Sequence, residues 1–100
     1  MNFVVEITEE AQNDLTTITD VSIRRVIAAG LLRLETEPAK RGKALRGDLE
    51  GYYSVRLARQ RYRAVYSIAV SAGVVTVVVV GIRKDGDKRD AYRIAKKRAV

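Results

Sequence analysis

The sequence has no histidine, no cysteine and no tryptophan, and its 100 residues include a single proline, Pro38. Without cysteine there is no disulfide, no thiolate nucleophile and no thiolate metal site. Without histidine there is no imidazole to act as acid or base near neutral pH, and none to bind a metal. The usual hydrolase triads and zinc hydrolases are therefore excluded, and any catalysis falls to Arg, Lys, Tyr, Ser, Asp or Glu. Long apolar runs are missing as well. The longest, Val77 to Ile82, is far shorter than the roughly 20 residues that cross a bilayer. The opening MNFVVEITEE has no basic flank, and acids follow its brief apolar stretch. That does not fit a secretory signal, so a cytoplasmic protein with no membrane partner is expected.

What is present in excess is base. Lys and Arg number 19 against 12 Asp and Glu, for a formal charge of +7. With 47% hydrophobic and 31% charged residues the composition is that of a chain that folds and stays soluble. One hundred residues make one domain, spanning 1–100, which buries about two-thirds of its unfolded surface. The charge is polarised. Residues 1–20 hold five acids and no base, residues 38–66 hold eight bases and two acids, and residues 83–100 hold eight bases and three acids. Such a division suits a polyanionic partner, most often nucleic acid, or else a solvated basic surface with no single partner.

Phe3 to Ile7 reads as a short first strand. Thr8 is a helix N-cap with Glu9 and Glu10 in the first turn, where the helix dipole favours anions, and Ala11, Leu15 and Ile18 recur at helical spacing. Asp20 reads as a second N-cap, followed by the apolar stripe Ile23, Val26, Ile27, Leu31 and Leu34. Gly30 within that stripe allows close packing, and Pro38 is expected to stop the helix. The short joint predicts an antiparallel helix pair. Ala39 to Gly51 reads as loop. The period then changes to two. Tyr53, Val55 and Leu57 fall on one face of Tyr52 to Ala58, and Tyr52, Ser54 and Arg56 on the other. From Arg61 to Val70, Tyr62, Ala64, Tyr66 and Ile68 oppose Arg61, Arg63, Val65 and Ser67. Ser71-Ala72-Gly73 is a hairpin turn, and Val74 to Ile82, nearly all β-branched, is a central strand covered on both faces. Lys88 or Asp90 begins a short terminal helix. The expected fold is α+β, β-α-α-β-β-β-α. A mainly antiparallel four-stranded sheet carries the helix pair on one face, which leaves the other face and the terminal helix as the working surface.

If the strands pair as neighbours, Arg56, Arg63, Arg83 just past the last strand, and Tyr92 can line one groove. Arginine forks bind phosphate bidentately and stay charged at physiological pH, which suits them to charge developing at phosphorus. Tyrosine can stack on an unpaired base or move a proton when cations lower its pKa. RNA supplies its own nucleophile, the 2′-hydroxyl, so cleavage of single-stranded RNA needs neither histidine nor metal. Each of these residues also has a plainer reading. Strand arginines keep a face soluble, and Tyr92 can anchor a helix on the sheet edge. Lys40, Arg41, Lys43 and Arg46 form either a solvated loop or a set that positions phosphates.

Leu49-Glu50-Gly51-Tyr52-Tyr53-Ser54-Val55-Arg56-Leu57, Tyr62-Arg63-Ala64-Val65-Tyr66-Ser67-Ile68, the valine-rich strand, Gly81-Ile82-Arg83-Lys84-Asp85 and Asp90-Ala91-Tyr92 together resemble the RelE/ParE superfamily of toxins from type II toxin–antitoxin systems. The resemblance implies a toxin that enters the ribosomal A site and cuts mRNA there with no cofactor. It implies neutralisation by a cognate antitoxin, and operator DNA bound only by the toxin–antitoxin complex. RelE-like members carry two catalytic lysines on the second strand, which match Ser54 and Arg56 here. Their other catalytic positions match Arg63, Arg83 and Tyr92. Arg61, Lys84 and Ser54 join Lys40, Arg41, Lys43 and Arg46 as expected RNA contacts. With serine in place of a lysine, Tyr92 or Lys84 takes the proton. The alternative is a ParE-like, non-catalytic inhibitor of DNA gyrase.

Overall fold

Alternation along residues 52–70 puts Ser54, Arg56, Arg63 and Ser67 on one side of two strands and Tyr53, Leu57, Ala64 and Tyr66 on the other, so the sheet must have two unlike faces. In the computed structural model, which describes residues 2–99, β3 (Tyr52–Leu57), β4 (Tyr62–Ala69) and β5 (Val74–Ile82) form an antiparallel meander. β1 (Val4–Ile7) pairs in parallel with β5, and β2 (Lys43–Ala44) pairs antiparallel to β3. The order across the sheet is β1-β5-β4-β3-β2. The helices are α1 (Glu9–Thr17), α2 (Val21–Leu32), α3 (Pro38–Arg41) and α4 (Ala91–Arg98), with single 3₁₀ turns at Arg33–Glu35 and Gly47–Leu49.

The α+β class and the mainly antiparallel sheet are as expected, but the sheet has five strands rather than four. The extra strand lies in the segment read as loop, and two residues are too few to show a period of two. Pro38 also plays a different part. α2 ends at Leu32 without it, and Pro38 opens α3, where its missing N–H is no loss and its fixed φ suits the first helical position. Thr8, Asp20 and Asp90 cap α1, α2 and α4 through their side chains.

The main core lies between the α1–α2 side and the face of Tyr66, Ala64, Leu57, Val75, Val77 and Val80, with Ile27, Leu31 and Leu34 inserted from α2 and the turn beyond it. Truncating Ile27 or Leu31 to alanine would cost about 2–5 kcal/mol. Gly30 brings α2 close to β3, since a Cβ there would lie 2.4 Å from Leu57 Cδ2. A second, smaller core joins Val65, Val79, Leu49 and Ala95 on the opposite face, under α4.

β5 is bulged. Val65 faces Val79 and Tyr66 faces Val77, which leaves Val78 without a partner. β1 reaches only as far as Val77. Beyond it two backbone groups of β5 are met by an ion pair. Val80 N donates to Asp14 Oδ2 at 2.9 Å, and Val78 O accepts from Arg98 Nη1 at 3.0 Å. Asp14 and Arg98 bond each other at 2.7 and 3.0 Å. Side chains from α1 and α4 thus satisfy backbone that no strand covers. No helix among the described residues is long and apolar enough to cross a membrane.

Candidate functional site

The face left open by α1 and α2 carries α4, and Asp90 fixes how α4 begins. This buried carboxylate gathers four donors. Its Oδ1 accepts from Arg83 Nη1 and Lys84 N, both at 2.7 Å, and its Oδ2 accepts from Tyr92 N at 3.1 Å and Arg93 N at 3.3 Å. Burial pushes the Asp90 pKa up, but the bonds from Arg83, Lys84 and Arg93 outweigh it and hold the carboxyl below its ordinary range. The same bond raises the Arg83 pKa further, so both groups stay ionised at neutral pH.

Arg83 also lies over the Tyr92 ring, with Cζ 4.2 Å from the centroid, a cation–π contact. The Tyr92 hydroxyl donates to Ser54 Oγ at 2.9 Å, across 38 positions of sequence. Ser54 is buried. Arg83, Tyr92 and Ser54 are thus linked in series, with Arg83 and Tyr92 lining a cleft of about 740 Å³ and Ser54 buried behind Tyr92. The cleft has Lys43, Arg46, Arg83, Arg93 and Lys96 around it, Ala44, Leu45, Leu49 and Tyr92 among its walls, and two acids, Asp85 and Asp90.

The far rim is held by the main core. Buried Tyr66 donates its hydroxyl to Pro38 O at 2.8 Å. Its ring stacks on Tyr53 with centroids 5.6 Å apart. Burial, and secondarily the neighbouring Tyr53, push the Tyr66 pKa up to about 12. Gly42 passes directly over this hydroxyl, where a Cβ would sit 2.4 Å from Tyr66 Oη and 2.6 Å from Ser54 O. No other residue fits without moving backbone. Lys43 consequently lands opposite Ser54.

The expected site residues separate into groups. Arg83, Tyr92, Lys43 and Arg46 line the cleft, whereas Ser54, an expected RNA contact, is buried outside its lining and reaches it only through its bond with Tyr92. Arg56 and Arg63 face each other across β3 and β4 on the same side of the sheet as Ser54, but their guanidinium groups turn to the β3–β4 connection and do not line the cleft. Arg61 lies in that connection, beside a groove next to α2, and is not part of the arginine face. The turn ends at Arg61 and β4 starts at Tyr62, so strand alternation does not reach it. Lys40 pairs with Glu37 at 2.9 Å, and Arg41 Nε donates to Thr36 O at 3.1 Å. Lys84 is exposed, with Nζ 4.0 Å from Asp87.

Sequence reading missed Arg93 and Lys96, whose i, i+3 spacing with Asp90 at the cap put them on one helix face. It also missed Asp85 and the role of Asp90 as partner to Arg83. The first could have been read from periodicity. The second depends on how the chain returns after residues 84–89, for which no local pattern exists.

The model of a family described as the ParE toxin of the type II toxin–antitoxin system parDE matches residues 5–86. Among solved structures, the chain is similar to a protein of the toxin–antitoxin complex RelBE2 from Mycobacterium tuberculosis, with 28% identity and a TM-score of 0.75 over 83% of this chain and 100% of that one. A chain of the intact E. coli RelBE complex gives 24% identity and a TM-score of 0.67, covering 82% and 98%. The chromosomal ParDE system of P. aeruginosa gives 16% identity and 0.64, covering 78% and 92%. The last two likenesses speak to fold alone. Among curated proteins no sequence matches significantly.

Proposed function

The chain belongs to the ParE toxin family of type II toxin–antitoxin systems, within the RelE/ParE superfamily, and from that premise we propose that it is a ribosome-dependent mRNA endoribonuclease held in check by a cognate antitoxin. The observation that carries this reading is the pair Arg83 and Tyr92, braced by Ser54, in the wall of a basic cleft whose volume matches that of small-molecule sites. RNA is the substrate such a cleft favours, with cations for phosphates and an aromatic ring for a base.

In the proposed reaction the 2′-oxygen attacks phosphorus and the bond to the 5′-oxygen breaks. This leaves a 2′,3′-cyclic phosphate on one fragment and a 5′-hydroxyl on the other. One proton leaves the 2′-hydroxyl and one is delivered to the departing oxygen. Arg83 stabilises the charge that builds on the phosphoryl oxygens, and Asp90 fixes its orientation. Arg56 and Arg63, one row along the same face from Ser54, add to the field along the backbone. Lys43, Arg46, Arg93 and Lys96 position flanking phosphates. At the cleft the Asp85 carboxylate can take the proton from the 2′-hydroxyl, and the Tyr92 hydroxyl, once it parts from Ser54, can give one to the departing 5′-oxygen.

Arg83→Ala is expected to lower cleavage on ribosomes by about 100-fold or more, the usual effect of removing one donor to developing charge. Growth arrest should be lost while the protein still folds. An Arg83→Ala protein that cleaves and arrests as the wild type does would defeat this assignment.

A second reading has specific support. The matching family model is that of ParE, and both candidate catalytic groups are engaged, Tyr92 by Ser54 and Arg83 by Asp90. Under it the protein is a non-catalytic inhibitor of DNA gyrase. Induction of the DNA-damage response and filamentation, with intact mRNA, would mark that outcome.

A further inference from the structure

The turn between β3 and β4 is a second basic surface, built apart from the cleft. Three consecutive residues, Ala58, Arg59 and Gln60, hold φ of 46°, 60° and 67°. These are left-handed values at which side chains other than glycine, asparagine or aspartate are strained. Two arginines keep the turn in that shape. Arg63 Nη1 donates to Gln60 O, and to Tyr62 O at 3.2 Å, while Arg56 Nη1 donates to Gln60 Oε1 at 3.3 Å. Arg56 and Arg63 also stand directly opposite each other, a placement of like charges that weakens a sheet.

The result is four arginines within eight residues, Arg56, Arg59, Arg61 and Arg63. Among the described residues none of the four lies within ion-pair distance of a carboxylate, whereas Arg83, Arg89 and Arg98 each do. Arg59 and Arg61 are exposed. Strain and repulsion are therefore both retained at a place that presents unneutralised forks to solvent, where backbone strain points to function. Forks of this kind suit phosphodiester oxygens, which they bind through paired hydrogen bonds.

We propose that this turn docks the phosphodiester backbone of folded RNA. Arg59 and Arg61 each contact a phosphate, and Arg56 and Arg63 hold the turn that presents them. The choice of RNA rests on the ribosomal reading of the cleft, and the turn gives that reading a second point of attachment, separate from the cleavage site.

The test is binding of the full chain to a stem-loop RNA across a salt series, with a DNA duplex of the same sequence and purified small ribosomal subunits in parallel. Arg59→Ala and Arg61→Ala are each expected to reduce the slope of log affinity against log salt by about 1, and to weaken binding equally for unrelated stem-loops. Arg59→Lys and Arg61→Lys keep the charge and should keep the slope. Arg59→Gln and Arg61→Gln repeat the test with side-chain length retained, should an alanine variant fail to fold. Wild-type slopes in all the neutral variants, with RNA still bound, overturn the role of the turn and leave the ribosomal reading standing. Slopes that change on DNA but not on RNA overturn the choice of RNA. A wild-type protein that binds neither RNA nor subunits overturns the ribosomal reading and the docking role together.

Discussion

Arg83 and Arg98 each rest on a carboxylate, Asp90 and Asp14, whereas Arg56 and Arg63 rest on amide and backbone oxygens of a strained turn. Both pairs belong to the same basic protein, and the contrast separates two uses of arginine. At the α4 end the ion pairs fix geometry. One sets the start of the helix that carries Tyr92, and the other closes the bulged edge of β5 beneath its last turn. At the β3–β4 turn the bonds are to neutral groups, so the positive charge is left to act outward. Paired arginines here build the site, and unpaired ones present it.

Of the two ends, the paired one should give the larger stability effect. Asp14→Ala leaves Val80 N without its acceptor and Arg98 without its carboxylate, with the bond to Val78 O alone remaining, and is expected to cost about 2–4 kcal/mol in urea unfolding. Asp14→Asn, which keeps an acceptor for Val80 N, should cost less. Arg59→Ala should fall within about 0.5 kcal/mol of the wild type. Equal losses for Asp14→Ala and Arg59→Ala would erase the distinction between the two ends.

A smaller effect separates them by pH. The Asp90 pKa is held low in the folded protein. Its contribution is therefore complete above the unfolded carboxyl value of about 3.9 and is lost as pH falls through the folded one. Amide exchange in α4 should rise on that acid side before exchange in β3 and β4 does. Simultaneous loss of protection in both would mean that Asp90 does not hold α4 separately.

Tyr66 gives the opposite sign and the mildest change. Its pKa of about 12 exceeds the unfolded value of about 10. The stability it supplies is full below pH 10 and disappears as pH rises through the folded value. Tyr66→Phe should lower stability by about 1 kcal/mol at neutral pH and narrow its gap to the wild type between those two values. A constant gap would contradict the raised pKa of the buried phenol.

Much of this architecture was legible in the residues. The period-two pattern assigned Tyr53, Val55 and Leu57 to one face and Ser54 and Arg56 to the other, and the register agrees. Thr8 and Asp20 announced their helices. β2 was not legible, because Lys43–Ala44 forms a strand only through Gly42 packing on Tyr66 and Ser54, a long-range contact. The bulge at Val78 was hidden in a run of valines that looks the same in any register. Within the site, the meeting of Arg83 and Tyr92 was legible in the residues, but the bond from Tyr92 to Ser54 was not. Nor was the capture of Arg56 and Arg63 by their own turn, since it depends on left-handed backbone at Ala58, Arg59 and Gln60, none of which is glycine.

The cleft lined by Arg83 and Tyr92 is proposed to cut RNA on the ribosome. The most direct measurement maps mRNA 5′ ends on purified ribosomes stalled with a defined codon in the A site, after addition of the wild-type chain or Arg83→Ala. New 5′-hydroxyl ends within the A-site codon are expected for the wild type, and their loss in the variant. Intact A-site mRNA with a wild-type protein that arrests growth would contradict it.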